Sequence, residues 1–205
     1  MRLSLRSVAR TILQYARRLR RRIRPANVAV LTPGQPVRLH LGCGEVRLPG
    51  WINIDGNPAS AADVVMDFRQ IGGAFPASSV DEMMMIHSLS YLRLWEARDL
   101  LAAAHGLLKP GGKFIAEFPD VAKCAVVLCG PGRVVDSHLE GVRALYAFDL
   151  GQIARRDLYT PYAFGWAAWH LEHELRAAGF RAIRTLPPLT HGQLTWRDSR
   201  VEAAK

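Results

Sequence analysis

Val37-Arg38-Leu39-His40-Leu41-Gly42-Cys43-Gly44 runs through Glu45-Val46-Arg47-Leu48-Pro49-Gly50 into Trp51-Ile52-Asn53-Ile54-Asp55. Residues 37–41 alternate well enough to form a strand, and that strand ends in Gly-x-Gly. Glycine has no Cβ and accepts positive φ, so the backbone can turn sharply there and come close to a ligand. Two glycines after a strand also serve as a plain turn, so this signal is weak alone. Residues 51–55 read as a second short strand ending in an acid. A carboxylate at the carboxyl end of the neighbouring strand is placed to accept hydrogen bonds from both ribose hydroxyls of a nucleoside. Asp55 before Gly56-Asn57-Pro58 equally suits a surface turn.

The spacing separates nucleotide-binding families. Only residues 45–53 lie between the glycine turn and the second strand's end, and they include Pro49 and Gly50. No crossover helix of a dozen residues fits. A dinucleotide fold places its acid about 20 residues further on. A Gly-x-x-x-x-Gly-Lys-Ser/Thr phosphate loop does not occur anywhere in the chain.

Further along, Val64-Val65-Met66 is expected as a buried strand with Asp67 just beyond it, where a side-chain acceptor can meet an adenine amino group or cap a helix. Met83-Met84-Met85-Ile86 is expected as a central strand by its apolar continuity. His87 then stands at the sheet edge where ligands sit, either as a proton acceptor for a substrate or as a structural histidine. Residues 94–108 carry a helical apolar rhythm stopped by Pro110-Gly111-Gly112. Lys113–Phe118 is the next strand, and Asp120 beyond it can orient or deprotonate an acceptor hydroxyl, or simply shape a turn beside Pro119.

At this point the chain resembles a known family. Leu39 to Gln70, LHLGCGEVRLPGWINIDGNPASAADVVMDFRQ, is similar to the opening of small bacterial S-adenosylmethionine-dependent methyltransferases often associated with cell-surface polysaccharide assembly. Their hallmark is Leu-Gly-Cys-Gly, then Pro-Gly-Trp and Asn-x-Asp. Ile86 to Asp120, with its Leu-Lys-Pro-Gly-Gly turn, and the later stretches HLEHELRAAGFRAIRT and RDSRVEAAK resemble the rest of that fold. The resemblance implies an α/β, Rossmann-like class I domain over residues 35–205. Its seven-stranded, mostly parallel sheet would end in an antiparallel edge pair, Arg181–Leu186 and Trp196–Ala204. It implies S-adenosylmethionine as cofactor and a small-molecule acceptor, a sugar or glycan precursor. Leu41, Gly42, Cys43 and Gly44 would face the methionine and ribose, Asp55 the ribose, and Asp67 with Phe68 the adenine; His87 and Asp120 are the catalytic candidates. The chain departs from the family at Arg38 and His40, where an acid is usual. It departs again at His87-Ser88-Leu89-Ser90-Tyr91, where a His-x-x-Glu-His run is usual and only His87 remains. A catalytically silent cofactor-binding or scaffold protein is the alternative those departures raise.

Composition sets the outer limits. The formal charge is +9 over 205 residues, yet residues 1–44 hold ten Arg and no acid, leaving 17 basic against 18 acidic side chains elsewhere. The body is therefore not a nucleic-acid-gripping surface, and no nucleic-acid partner is expected. Within the arm, 1–34, apolar Val8, Ile12, Ala16, Leu19 and Ile23 recur at helical spacing among arginines. Such a segment can lie on an anionic membrane surface through residues 1–24, or remain a solvated tail. Cys43, Cys124 and Cys129 have no disulfide or metal spacing, and no apolar run nears the roughly 18 residues that span a bilayer, so a cytoplasmic protein is expected. His138, His170, His173 and His191 show no paired ligand spacing, so no metal is expected. Residues 121–165, irregular and rich in aromatics, are expected to form an acceptor-side insertion.

Overall fold

The computed structural model describes residues 34–129 and 161–205, with 142, 145 and 146. Seven strands form one sheet: β1 (Arg38–Leu41), β2 (Ile52–Asp55), β3 (Val64–Val65), β4 (Val80–Ile86), β5 (Leu108–Pro119), β6 (Arg181–Leu186) and β7 (Asp198–Ala204). Their order across the sheet is β3-β2-β1-β4-β5-β7-β6. The first five strands are mutually parallel, and β7 inserts antiparallel between β5 and β6. This is the expected topology, including the antiparallel pair at the edge. Three described helices, α1 (Leu94–Leu107), α2 (Val121–Cys129) and α3 (Ala168–Ala177), complete it.

The register explains the core. Leu39 pairs with Met83, Met83 with Phe114 and Phe114 with Ala203; Leu41, Met85, Ala116 and Val201 form the next row. Side chains alternate across a strand, so both rows share one sheet face. They are buried with Ala97, Leu101 and Ala104 of α1 and Leu171 and Leu175 of α3 in one apolar cluster. Each fully buried side chain of this size contributes about 1.5–3 kcal/mol. The Glu96 carboxylate closes the start of α1 by accepting the Arg93 backbone N–H at 2.9 Å.

No helix joins β1 to β2, as the spacing requires. The segment is stitched by Asn53 instead: its amide accepts from Leu48 N at 2.9 Å and donates to the carbonyls of Leu48 and Trp51, both at 3.1 Å. Asp63 accepts from the Asn53 backbone at 3.0 Å and pairs with Arg47 at 2.6 Å. The hydrogen bonds a helix would make internally are thus supplied by side chains.

Two expectations need correction. β3 is an edge strand, paired only with β2, and Val65 is 53% exposed, so 64–66 is not a fully buried run. Residues 121–129 form α2, where irregular chain was expected: the Asp120 carboxylate accepts the Ala122 N–H at 3.0 Å and so starts the helix. The arm's residues 1–24, and within 121–165 Gly130-Pro131-Gly132, His138 and Tyr159, lie outside the described residues. No helix among the described residues is long and apolar enough to cross a membrane.

Candidate functional site

The chain runs from β1 outward to β2 and β3 on one side and returns to β4 on the other, so strand order reverses between β1 and β4. In open α/β sheets ligands bind outside the carboxyl ends of the strands at that reversal. Gly42 follows β1 there and His87 follows β4.

The two glycines of the turn do different work. Gly42 and Cys43 N–H groups both donate to the Ile54 carbonyl, at 2.8 and 3.2 Å, which folds the turn onto β2. Gly42 has φ +72, and a Cβ there would collide with the Ser88 Cβ and lie 3.3 Å from the Phe68 ring. Gly42 is thus required by the protein's own packing, since Ser88 lies against it and donates to the Leu41 carbonyl at 2.6 Å. Gly44, at φ +55, has nothing within 4 Å of its Cβ position; its face is open to a ligand. Leu41 is fully buried, and Cys43 is buried too, its thiol pushed up by burial and by nearby Asp55. Alanine at Gly44 meets only the left-handed backbone penalty, about 1–2 kcal/mol, whereas alanine at Gly42 adds the Ser88 collision. Thermal melts should therefore show the larger Tm drop for Gly42→Ala, at about 2–4 °C per kcal/mol. Equal drops would contradict this division.

Asp55 faces the turn. Its carboxylate accepts the Gly44 N–H at 2.8 Å and the Asn57 N–H at 2.7 Å, leaving further lone pairs on both oxygens. Asp67 lies alongside, its Cα 3.9 Å from a Cβ position on Gly56. It caps a short 3₁₀ turn, Phe68–Gly73, by accepting the Arg69 N–H at 3.1 Å. Arg69 also chelates it at 2.7–3.0 Å; burial acts to raise its pKa, and these bonds overcome that to hold the carboxyl below its usual range. The structure thus gives Asp67 the capping task that its sequence position also allowed.

His87 sits at φ +56, a backbone state that costs a non-glycine residue on the order of 1–3 kcal/mol and clusters at functional sites. Its N–H donates to the Glu117 carbonyl at 2.7 Å. Its ring Nε2 meets Asp198 Oδ2 at 2.8 Å, and a carboxylate acceptor places the proton on Nε2. Asp198 is fully buried and also receives Arg197 at 2.6 and 2.9 Å. Burial would raise the Asp198 carboxyl, but the bonds from His87 and Arg197 hold it below the usual range. The His191 ring stacks on His87 with centroids 4.5 Å apart and planes 12° apart. His191 is carried by a segment tied to Glu117, whose buried carboxylate takes Leu189 N–H, Thr190 N–H and the Arg200 guanidinium at 3.1, 3.0 and 2.7 Å. Tyr91 and Tyr162 pack edge to face nearby, and burial raises both hydroxyls. Sequence spacing alone did not bring His191, Arg197 or Asp198 to His87.

His87, His191 and Asp198 offer ligand-type atoms within 4.8 Å of one another. Imidazole lone pairs lie in the ring plane, so two nearly parallel stacked rings do not converge on one ion about 2.0–2.1 Å from each nitrogen. Arg197 moreover already neutralises the carboxylate. The trio is a hydrogen-bonded His87–Asp198 pair with His191 stacked on it. His170, elsewhere on α3, meets Glu174 at 3.4 Å, and Glu174 is held by Arg98 at 2.7 Å.

Asp120 is 4% exposed and fully engaged: Ala122 N–H and Ala168 N–H at 3.0 and 3.3 Å, and Ser199 Oγ at 2.9 Å. It ties α2, the start of α3 and β7 together.

Acid should weaken the fold in two stages. His40, buried in β1 against Asn53 Oδ1 at 3.1 Å, and His191 have basicities lowered chiefly by burial. Stability they contribute is complete above the unfolded imidazole value, about pH 6.5, and is lost as pH falls below it. Glu117, Asp198, Asp67 and Asp63 are all held low. Their contribution is complete above about pH 4–4.5 and lost below. Urea unfolding at stepped pH should show both limbs; constant stability from pH 7 to 5 would contradict the histidine part.

Solved structures share this architecture. A SAM-dependent methyltransferase of Archaeoglobus fulgidus superposes with TM-score 0.55 at 15% identity, over 84% of this chain and 87% of that one. A SAM-dependent methyltransferase of Thermotoga maritima gives 0.51 at 13%, over 87% and 86%. The fold is that of the class I methyltransferases. A phosphoethanolamine N-methyltransferase 2 of Haemonchus contortus, solved with S-adenosyl-L-methionine, gives 0.53 at 13% identity over 86% of this chain and 50% of that one. No family model matches the chain, and no curated protein matches its sequence.

Proposed function

We propose that this chain is an S-adenosylmethionine-dependent methyltransferase acting on a small acceptor, a sugar or glycan precursor. One observation carries the reading: at the sheet's order reversal, the open face of Gly44 lies beside a carboxylate, Asp55, that retains unused lone pairs. That pair fits a nucleoside sugar. Gly42 to Gly44 would hold the methionine and ribose portion with Asp55, while Phe68 beside Gly42 and the capping Asp67 would border the adenine. When bound, the cofactor supplies an activated methyl group on a sulfonium.

The protein's share is positioning. A displacement needs the acceptor atom in line and at near contact, and effective molarities are worth about 7–11 kcal/mol. His87, the residue immediately after β4, the strand that borders Gly42's strand in register, would touch the acceptor. The acidic Asp120 serves as a bracket that keeps β7 against α2. Residues 1–24 would hold the protein against the anionic inner face of a membrane, where lipid-linked acceptors reside, each cation adding about 1 kcal/mol.

Incubation with labelled S-adenosylmethionine and nucleotide-linked or lipid-linked sugars, read by mass spectrometry, tests this. Methyl incorporation supports the acceptor class, and none into any glycan precursor removes it. Cofactor binding without turnover on any acceptor favours the catalytically silent alternative.

A further inference from the structure

We infer that the acceptor is a hydroxyl group and that Asp198 and His87 form a dyad that takes its proton. The inference rests on the methyl-transfer reading of the crevice and names its substrate chemistry.

The ring of His87 is held on one side only. Nε2 is committed to Asp198 Oδ2 at 2.8 Å, Asp198 is immobilised by Arg197, and His191 stacks on the ring's face. Nδ1 makes no hydrogen bond among the described residues, and the side chain is 22% exposed. With the proton on Nε2, Nδ1 carries the free lone pair, so the ring is oriented to accept a proton at that atom. A buried carboxylate behind a histidine also stabilises the imidazolium that results.

That device suits a hydroxyl. A deprotonated amine is a nucleophile without help, whereas a hydroxyl gains by losing its proton as it attacks. An ammonium acceptor would also want an unpaired acid. Yet the acids around His87 are spent: Asp198 on Arg197 and His87, Glu117 on Arg200 and two backbone N–H groups, and Asp120 on Ser199 and two backbone N–H groups. Among the described residues the remaining groups about His87 are Arg197 Nη2 at 3.5 Å, the stacked His191, and the tyrosines 91 and 162, none of which carries a negative charge to pair with an ammonium. In the step, the acceptor oxygen forms a bond to the methyl carbon while the carbon–sulfur bond breaks. The bonding pair stays on sulfur, which becomes a neutral thioether, and the hydroxyl proton moves to His87 Nδ1. Asp198 is a positioning residue and His87 the base.

The test has two readouts. Nitrogen NMR of the wild-type chain saturated with S-adenosylhomocysteine should show His87 protonated on Nε2 and bare on Nδ1; the opposite tautomer overturns the dyad. Transfer from S-adenosylmethionine is then measured against monosaccharides, sugar alcohols and phenols, with primary amines as the matched set. Hydroxyl compounds should be methylated. Asp198→Asn should lower kcat about 100-fold or more and leave S-adenosylhomocysteine affinity within about threefold. Asp198→Glu should recover part of the rate, and a normal melt for either variant excludes misfolding. Transfer to no hydroxyl compound, transfer to amines with equal rates in wild type and Asp198→Asn, or a requirement for added zinc or magnesium abolished by chelator each overturn the inference. Failure to bind S-adenosylhomocysteine at all would instead remove the methyltransferase reading beneath it.

Discussion

Replacing Asp55 with alanine should raise the Kd for S-adenosylmethionine and S-adenosylhomocysteine together by roughly 10- to 150-fold. Hydrogen bonds to a charged acceptor are each worth about 1.5–3 kcal/mol, and tenfold in Kd corresponds to about 1.4 kcal/mol. The variant also frees the Gly44 and Asn57 N–H groups. Both lie at the exposed rim, where water replaces the carboxylate, so the Tm should fall only slightly. That combination is the mark of a ligand contact: affinity lost and fold kept. Asp55→Asn should lie between, because an amide oxygen keeps one acceptor but not the charge. A calorimetric titration of both variants decides it, and unchanged affinity in Asp55→Ala would show that this acid only shapes the turn.

The largest loss of stability should come from Glu117→Leu. Glu117 lies fully buried on β5 opposite Arg200 of β7, and its carboxylate takes Arg200 Nη1 and two backbone N–H groups of the 189–190 segment, while Arg200 Nε also pairs with Glu202 at 2.7 Å. Removing the Glu117 carboxylate leaves Arg200 paired to Glu202 alone and strands the two backbone N–H groups, a combined cost of about 3–5 kcal/mol. For a domain of this size the Tm should fall by roughly 6–20 °C. The double variant Glu117→Leu/Arg200→Met should be less damaged than Glu117→Leu alone, because it no longer buries a cation that has lost one of its two carboxylate partners. A single variant within about 1 kcal/mol of wild type, well below that range, would contradict the assignment. The same change should also loosen His191 from His87, since the segment carrying His191 hangs on this carboxylate.

Local chemistry was legible before the structure, and long-range chemistry was not. Alternation and apolar continuity located the strands because burial on a sheet imposes those patterns directly. The absence of a helix between β1 and β2 followed from counting residues, though nothing in the spacing revealed that Asn53 would knit the segment together. α2 was missed because Val121–Cys129 is apolar almost throughout and runs into Gly130-Pro131-Gly132; the capping Asp120 was a signal of it. Val65 was read as buried because a two-residue edge strand looks, in sequence, like part of an interior one.

The site divided the same way. Asp55 and the glycines lie within 14 residues of one another, so their meeting could be read from the chain. His87 and Asp198 are 111 residues apart, and only the antiparallel return of β7 beside β5 brings them together. Asp198 in sequence is one acid among several near the end. The left-handed backbone at His87 leaves no trace in composition either. Gly42 was legible as a glycine position, but its reason, the close approach of Ser88, was not.

The most direct test of the cofactor site is isothermal titration of the purified full-length chain with S-adenosylhomocysteine. Saturable one-to-one binding with a Kd on the order of micromolar is expected; absence of any binding heat at about millimolar ligand, far above that range, would contradict it.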